Sequence, residues 1–372
     1  MKISIITPRF SLAGVPLAQI RFARSLSSLG HDVVLIIGHV NKGYELPTID
    51  GVNVQVLGKE RAISMIGSIA NHLKRSKPDV VFSAEDHLNV IVLIAAFFAR
   101  SKTKISCSSR VTPFDTYSNK FLSKRWVLKQ LMKLFMHRAK VLTCVSKDMV
   151  EQYRAIFNNP PHISIYNIVE DSRAHSRMLE LLDDPWFDND IPMIVAAGRL
   201  APWKGFSDLI YAMKELNKTT EARLTILGGG PLKKELELLI KELNLGNIVK
   251  LTGYVDNTLK YFKRANVFVL SSHVEGLPNV LVEAMMCGCT PVSTDCPTGP
   301  REVLGDGAYG YLTPVGDMVS MANRIRKALK NPISEGVLKK AVSPFSEQSV
   351  LEDHCKSLEI SKSVFFPLGE KV

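Results

Sequence analysis

The chain has 372 residues, of which 46% are hydrophobic and 22% charged, and its net charge is +11. This length is too great for one ordinary hydrophobic core and fits two domains of about 150 to 200 residues. The composition is that of a soluble globular protein. The longest apolar run, Val90 to Ala99, is too short for a membrane-spanning helix, which needs about 20 residues. The N-terminus lacks a signal-peptide pattern, so a cytoplasmic location is expected.

Strand-like and helix-like segments alternate through the first half of the chain. The strand-like runs are KISIIT, DVVLIIG, NVQVLG, DVVFSA, KISCSS and KVLTCVS. Helical patterns lie between them, for example from Leu17 to Leu29 and from Ile63 to Lys74. Such alternation predicts a parallel sheet covered by helices on both faces.

The alternation resumes in the second half, after an acidic and irregular segment that begins near residue 171. Strands are predicted at MIVAAG, RLTILGGG, IVKLTGY, VFVLSS and CTPVSTD, and helices at FSDLIYAMKELNK, LKKELELLIKELN and NVLVEAMMCG. The two series predict an α/β protein with two doubly wound, Rossmann-like domains, residues 1–170 and 171–344. Ligands are expected at the carboxyl ends of the strands, in a cleft between the domains. The tail, residues 345–372, has a helical pattern and is expected to pack back on the first domain.

The six cysteines do not form a recognisable framework. None belongs to a C-x-x-C pair, and their surroundings are mostly apolar. They are predicted to be free buried thiols rather than a zinc site or a set of disulfides.

Two loops of the second half carry residues that suit an anionic ligand. The segment GRLAPWKG follows a strand and offers Arg199 and Lys204. Arginine can bind phosphate oxygens with two parallel hydrogen bonds, and lysine supplies a compact charge. The segment LGGGP, Leu227 to Pro231, follows the next strand. Its glycines would allow the backbone to approach a ligand, but they also fit a tight strand-to-helix turn.

The segment SSHVEGLPNVLVEAMMCGCTP adds a second part of this predicted site. Its Gly-Leu-Pro-Asn turn lies between a strand and a helix, and the helix is expected to begin near Asn279, with that residue as its cap. The free N–H groups and the positive end of the helix dipole would face a diphosphate. Glu283, one turn into the helix, could accept hydrogen bonds from a ribose diol. Glu275, just before the turn, would point beyond the phosphate.

These motifs, in this order, resemble the retaining GT-B glycosyltransferases of family 4. Two glutamates separated by seven residues, as Glu275 and Glu283 are, mark that family. The resemblance runs from Met193 to about Pro314. The extension STDCPTGPREVL is most similar to bacterial members that build O-antigen, capsule or lipid-linked glycans. The resemblance implies transfer of a hexose or N-acetylhexosamine, with retention, from a UDP-sugar to a lipid-linked acceptor of the undecaprenyl-diphosphate type.

The resemblance also implies a role for each matching position. Arg199 and Lys204 would hold the donor diphosphate and neutralise its charge as it leaves. Glu275 would lie beside the transferred sugar and Glu283 beside the ribose. The remaining donor contacts would come from the Gly276 and Leu277 backbone and from Tyr254 and Val255 near the base. No bound metal or other cofactor is expected, because the cationic loop and the helix end supply the positive charge.

The first half resembles the family less completely. Where members commonly have a Gly-Gly pair, this chain has Ala13 and Gly14, so that one glycine remains for close approach to the donor. Where many relatives have a histidine after the fifth strand, this chain has the segment SSRVTPFD, in which Arg110 or Asp115 could substitute. His87 could line the acceptor side or be structural. No acceptor-side base is assigned, because the resemblance implies a route in which the leaving phosphate accepts the proton.

The positive charge of the chain is concentrated in its first half. Residues 1–170 hold 23 lysines and arginines against 11 acids, a net charge of +12, and the rest holds 24 against 25. No acid occurs between Thr116 and Lys147, and Arg125, Lys129 and Lys133 recur at helical spacing. This pattern predicts a basic amphipathic helix, which is either a solvated face of a core helix or a surface that binds an anionic membrane. The second interpretation places segment 120–140 on the inner leaflet.

Two other functional classes stay open at this point. A GT-B enzyme with a soluble acceptor would need no charged docking face, so the basic first half disfavours it. A nucleic-acid-binding protein would fit the isoelectric point near 9.3, but the chain lacks interleaved aromatic residues and any recognition motif. No nucleic-acid partner is therefore expected.

Overall fold

The computed structural model describes residues 1–11, 14–157, 162–188 and 190–367. It divides into two compact units. Unit 1 comprises Met1–Asp171 with Ser346–Val372, and unit 2 comprises Ser172–Phe345.

Unit 1 contains a seven-stranded sheet in which every neighbouring pair is parallel. The order across the sheet is β3-β2-β1-β4-β5-β6-β7. The strands are β1 (Lys2–Phe10), β2 (Asp32–Val40), β3 (Val52–Val56), β4 (Val80–Ala84), β5 (Lys104–Ser109), β6 (Val141–Cys144) and β7 (His162–Ser164). The helices that connect them are α1 (Gly14–Ser28), α2 (Ile66–Ser76), α3 (Asp86–Ala99), α4 (Pro113–Thr116), α5 (Lys124–Phe135) and α6 (Lys147–Phe157), with short 3-10 turns at Ala62–Met65 and Met136–Arg138.

Unit 2 contains a six-stranded parallel sheet in the order β10-β9-β8-β11-β12-β13. Its strands are β8 (Met193–Ala197), β9 (Arg223–Leu227), β10 (Val249–Gly253), β11 (Val267–Leu270), β12 (Thr290–Thr294) and β13 (Tyr311–Thr313). Its helices are α7 (Ala174–Met178), α8 (Phe206–Leu216), α9 (Lys233–Glu242), α10 (Leu259–Arg264), α11 (Asn279–Met286), α12 (Pro300–Val303), α13 (Met318–Lys330) and α14 (Glu335–Val342). Further 3-10 turns lie at Pro185–Phe187, Pro202–Lys204, Gly305–Gly307 and Ser343–Phe345.

The central strands of both sheets are buried along their whole length and mostly apolar, because helices cover both of their faces. All five residues of β4 and all five of β8 are buried. A strand that is buried on both sides has a continuous rather than an alternating apolar pattern. The prediction of two Rossmann-like α/β domains is therefore confirmed.

The C-terminal segment adds two helices to unit 1, α15 (Glu347–Ser357) and α16 (Lys362–Phe365). Val350, Leu358 and Phe365 belong to the same apolar cluster as the strands of the sheet. Lys104 Nζ donates to the carbonyl oxygens of Leu358 and Glu359 at 2.8 and 2.9 Å. A lysine at this place stabilises the C-terminal end of α15, where carbonyl groups lack helical partners.

The structure shows where the cysteines and the longest apolar run of the chain lie. All six cysteines are free and buried, as predicted. The apolar run Val90 to Ala99 lies in the second part of α3, which packs against the sheet. In the described part of the chain, no helix is both long and apolar enough to cross a membrane.

Candidate active site

The strand order of unit 2 determines where its loops converge. β8 lies between β9 and β11. After β8 the chain continues toward one side of the sheet, to β9, and after β11 it continues toward the other side, to β12. In a parallel sheet of this kind, a crevice opens at that reversal, outside the carboxyl ends of the strands. The loops that carry Lys204 and Glu275 follow these two strands.

Lys204 and Glu275 meet at this position. Lys204 Nζ lies 2.5 Å from Glu275 Oε1, and Ser272 Oγ donates to the same oxygen at 2.6 Å. The side chains of Lys204 and Glu275 are 18% and 11% exposed. A lysine charge is thus fixed at the carboxyl edge of the sheet, with one carboxylate oxygen engaged by two donors. Sequence reasoning did not identify Ser272, which the spacing S-x-x-E would have placed on the same turn.

The two loops are joined by backbone contacts that require a glycine. Gly205 has φ +62°, and a Cβ atom added there would lie 2.0 Å from the Ser271 carbonyl oxygen. Ser271 Oγ donates to the Lys204 carbonyl at 2.8 Å, and the His273 N–H donates to the Trp203 carbonyl at 2.8 Å. This packing holds Lys204 rigidly against the loop of Glu275.

The turn before α11 differs from the sequence prediction in its cap. The N-cap is Pro278 and not Asn279, which is the first residue of the helix, and no side chain caps the helix. The Pro278 carbonyl oxygen accepts from the Leu281 N–H at 2.9 Å, so the helical hydrogen bonds begin one residue earlier than expected. Within the described residues, the N–H groups of Gly276 and Leu277 have no acceptor. They are available to an anion at the positive end of the helix.

Arg199 follows β8 directly and is exposed. Its side chain makes no ion pair or hydrogen bond with any described residue. Arg199 and Lys204 lie on the same loop, so the carboxyl edge of β8 carries one unpaired and one paired cation.

The three glycines after β9 have different roles. An added Cβ at Gly228, which has φ +134°, would lie 2.0 Å from the Gly198 carbonyl oxygen, and one at Gly230 would lie 2.4 Å from the Leu200 carbonyl oxygen. Both glycines are required by packing against the loop of Arg199. At Gly229, an added Cβ would meet nothing within 4 Å. The tight-turn interpretation therefore explains two of the three glycines, and only Gly229 leaves room for close approach of a ligand.

The remaining predicted donor residues lie in the same unit. Glu283 is in the second turn of α11 and is partly exposed. Tyr254, 55% exposed, and Val255 follow β10 directly after Gly253. Because all six strands are parallel, Tyr254 and Val255 leave the sheet at the same edge as Lys204, beyond β9.

In unit 1, Gly14 is the first residue of α1 and follows β1. An added Cβ at Gly14 would meet nothing within 4 Å, so packing does not explain the glycine. Ala13 lies outside the described residues. Asp115 is exposed on the short helix α4. The side chain of His87 is 44% exposed, with its Nε2 3.6 Å from Glu85 Oε2, and burial lowers the pKa of its imidazole.

The prediction of a basic face on α5 is wrong at Lys129. Lys129 is only 8% exposed, and its Nζ donates to Asn119 Oδ1 at 2.8 Å. The loop before α5 supplies this acceptor, which helical periodicity does not reveal. The apolar side chain of Leu134 on the same helix is 61% exposed. The exposed surface of this segment is therefore mixed apolar and basic.

Two family models match the chain over most of its length. The model for a glycosyl transferase 4-like domain matches residues 14–166, and that for glycosyl transferases group 1 matches residues 182–343. The first covers most of the N-terminal part of unit 1, and the second covers the loops of Lys204 and Glu275.

Curated relatives point to the same family. A Campylobacter jejuni protein named N-acetylgalactosamine-N,N'-diacetylbacillosaminyl-diphospho-undecaprenol 4-alpha-N-acetylgalactosaminyltransferase is 34% identical over 267 residues, which cover 68% of this chain and 70% of that protein. An uncharacterized glycosyltransferase of Methanocaldococcus jannaschii is 34% identical over 243 residues, or 62% of this chain. The chain spans 59% of the length of that second relative.

The fold is shared with solved structures, among them a glycosyltransferase from Rickettsia africae, with a TM-score of 0.78 at 16% identity over 96% of this chain and 99% of that one. HepE of Anabaena in complex with UDP matches with a TM-score of 0.76 at 19% identity, over 96% of this chain and 100% of that one. The two Rossmann-like units are those of the GT-B fold. With both halves matched by family models and 70% of the Campylobacter relative covered, this chain belongs to the group 1 glycosyltransferases.

Proposed function

We propose that the protein is a retaining glycosyltransferase that moves a hexose or N-acetylhexosamine from a UDP-sugar to a lipid-linked saccharide of the undecaprenyl-diphosphate type. The donor-binding part of this proposal rests on the Lys204–Glu275 pair, which lies beside the turn before α11, where no side chain caps the helix. The name of the Campylobacter relative, which specifies a diphospho-undecaprenol acceptor and an N-acetylgalactosaminyl group, supports the acceptor and sugar classes.

The donor diphosphate binds at the carboxyl edge of β8 and β11. Arg199 and Lys204 contact its oxygens, and the N–H groups of Gly276 and Leu277 donate to it. Each positive or N–H group becomes more stabilising as charge develops on the leaving diphosphate, which lowers the barrier. This arrangement performs the task that a divalent cation has in other transferases, so we propose that catalysis needs no metal.

The nucleoside and the sugar lie on opposite sides of the diphosphate. Glu283 accepts hydrogen bonds from the ribose diol, while Tyr254 and Val255 contact the base. Glu275 lies beside the transferred sugar, where its second carboxylate oxygen can accept from sugar hydroxyls.

Retention follows if the acceptor attacks the face from which the diphosphate departs. The bond between the anomeric carbon and the diphosphate oxygen breaks, and the bond to the acceptor oxygen forms on the same face. The acceptor proton passes to the departing diphosphate oxygen, so no side chain must act as the base.

The mixed surface of segment 120–140 supports docking on an anionic membrane. Phe121, Leu122 and Leu134 are 71%, 70% and 61% exposed, and the segment has no acidic residue. Apolar insertion together with attraction to anionic lipid gives stable interfacial binding. We expect binding to anionic vesicles that falls as salt rises, and equal partitioning to neutral vesicles would exclude this role.

The test of function has two steps. First, thermal melting with UDP, GDP and ADP identifies the base, because a ligand that binds only the folded state raises the melting temperature; UDP should give the largest shift. Second, a UDP-sugar is incubated with a prenyl-diphosphate-linked saccharide, and the anomeric configuration of the product is read by NMR. An α-linked product from an α-linked donor supports retention, and a β-linked product contradicts it. Transfer to soluble sugars only would refute the lipid-linked acceptor.

A further inference from the structure

A second charged cluster lies at the carboxyl edge of the sheet in unit 1. Here too the strand order reverses, between β1 and β4. Arg9 lies near the end of β1, Glu85 directly after β4 and Arg110 directly after β5. Since these three strands are neighbours and parallel, the side chains leave the sheet at one edge, which is where ligands bind in such sheets.

Arg110 is a largely buried cation that makes no direct ion pair with a described residue. Its Nε is buried with no hydrogen-bond partner, and no carboxylate among the described residues lies within 4.0 Å of its guanidinium. Burial lowers the pKa of Arg110 to about 10, and the negative charge of Glu85 opposes that shift. Burying a charged guanidinium costs free energy unless an anion binds to it.

The surroundings of Arg110 do not supply that partner. The cavity beside it, lined by Gln19, Ser83, Ser108 and His354 among others, measures about 20 Å³. That is room for about one water molecule, which could satisfy Nε but would leave the charge uncompensated. Burial of His354 lowers the pKa of its imidazole to about 3, with Arg110 acting in the same direction, so His354 adds no positive charge here.

The acids of the cluster are too few to neutralise it. Arg9 is exposed and has no side-chain partner among the described residues. Burial raises the pKa of the Glu85 carboxyl, and the charges of Arg9 and Arg110 oppose that shift. Asp86 is buried and accepts hydrogen bonds from Ser109, Tyr117 and Tyr153 at 2.7 to 2.9 Å. These three hydroxyls occupy Asp86, which leaves Glu85 as the acid that faces two arginines.

Glu85 is also held in an unfavourable backbone conformation. Its φ is +80° and its ψ is 128°, a region that non-glycine residues rarely adopt. Such strain persists only where the surrounding structure imposes it, and it concentrates at binding sites. The strained residue is therefore at the same edge as the unpaired cations.

We propose that Arg110 and Arg9 bind the diphosphate group of the lipid-linked acceptor, while Glu85 offsets part of their charge when the site is empty. The chemistry recognised is a substrate phosphate, and the donor diphosphate is the other source of it. The acceptor is favoured because the donor diphosphate has its own cations, Arg199 and Lys204, in unit 2. This inference rests on the proposed function for the identity of the acceptor and on the geometry of unit 1 for the anion site.

Calorimetric titration of the full chain with geranyl diphosphate and, separately, with UDP tests the proposal. Arg110→Met removes the charge and keeps most of the side-chain volume, and we expect at least tenfold weaker binding of geranyl diphosphate with UDP affinity unchanged. Arg110→Lys should recover part of the loss. Arg75→Met is the matched control, since Arg75 is exposed on α2 and has no partner in the described structure; it should bind both ligands as the wild type does.

A second substitution tests the same anion site in case Arg110→Met does not fold. Arg9 is exposed, so Arg9→Met should keep the melting temperature and weaken geranyl diphosphate binding at least threefold. Unchanged binding in both variants, or loss of UDP binding alone, would overturn the proposal. These titrations need no turnover, so failure to transfer sugar in the functional assay would count against the proposed function and leave the anion site to be judged on its own.

Discussion

Replacement of Lys204 by alanine separates the catalytic from the structural value of its contact with Glu275. The pair is held at 2.5 Å with side chains 18% and 11% exposed, and Ser272 donates to the same oxygen. Loss of Lys204 leaves Glu275 with one donor fewer in a mostly buried place. It also removes the positive charge that we assign to the leaving diphosphate.

The expected losses of folding stability and of transition-state stabilisation differ in size. Breaking a fully buried ion pair costs about 3 to 5 kcal/mol, and partial exposure together with the remaining Ser272 bond should reduce this to about 2 kcal/mol of unfolding free energy. Loss of one preorganised positive group at the developing charge costs about 2 to 4 kcal/mol of transition-state stabilisation. That corresponds to a fall in kcat/KM of about 30- to 900-fold.

The assay pairs urea denaturation with initial rates for Lys204→Ala and for Lys218→Ala. Lys218 forms a 2.5 Å pair with Glu215 in the same unit, but those side chains are 61% and 36% exposed, so about 0 to 1 kcal/mol of stability and no activity should be lost. Lys204→Ala that is destabilised yet turns over like the wild type would refute the catalytic assignment. Lys204→Ala in the presence of Glu275→Gln should recover stability without recovering rate, since the unpaired carboxylate is then gone.

Two further predictions concern the donor loops. Gly230→Ala should lose about 2 to 3 kcal/mol of unfolding free energy in urea denaturation, because its Cβ would lie 2.4 Å from the Leu200 carbonyl oxygen, whereas Gly229→Ala should stay within about 0.5 kcal/mol; equal losses would contradict the packing argument. Glu283→Gln should raise the KM for the UDP-sugar about tenfold with little change in kcat, since a hydrogen bond to a charged acceptor contributes about 1.5 to 3 kcal/mol. An unaltered KM would remove Glu283 from the ribose site.

Much of the fold was predictable because its signals are local. Strands buried on both faces are continuous apolar runs, and the parallel order brings the residues that follow them to one edge. This is why Lys204 and Glu275, 71 residues apart, could be expected near each other. Their association required only that both follow neighbouring strands.

The errors arose where a contact from elsewhere in the chain decides the outcome. Lys129 is buried because Asn119 of the preceding loop accepts from it, a contact that helical spacing does not encode. Gly228 and Gly230 fit either a ligand-binding loop or a tight turn in the sequence, and packing against the loop of Arg199 decides for the turn. The cap at Pro278 differs from expectation by one residue, the usual uncertainty where proline and asparagine adjoin a helix start.

The backbone conformation of Glu85 is a further feature that the local sequence does not predict, since nothing in its sequence context indicates a φ of +80°. Comparing Glu85→Gly with Glu85→Gln isolates the strain, because both variants lack the charge. Relief of an unfavourable conformation is worth about 1 to 3 kcal/mol, reduced by about 0.5 to 1 kcal/mol for the greater freedom of unfolded glycine. Glu85→Gly should therefore be the more stable variant by about 1 kcal/mol.

Arg100 provides the matched pair for this comparison. It ends α3 with φ 50° and ψ 38°, an ordinary left-handed conformation whose cost of about 1 kcal/mol is largely cancelled by the greater freedom of unfolded glycine. Arg100→Gly should therefore exceed Arg100→Gln in stability by about 0.5 kcal/mol or less, a smaller difference than for the Glu85 pair. Both Glu85 variants should also bind geranyl diphosphate at least as tightly as the wild type, because the remaining arginine charges are no longer offset, whereas the Arg100 variants should bind it unchanged. If Glu85→Gln is as stable as Glu85→Gly, the backbone is not strained at this site. If both Glu85 variants bind the diphosphate more weakly, Glu85 positions the arginines for binding rather than offsetting their charge, and the charge argument for the unit 1 site is wrong.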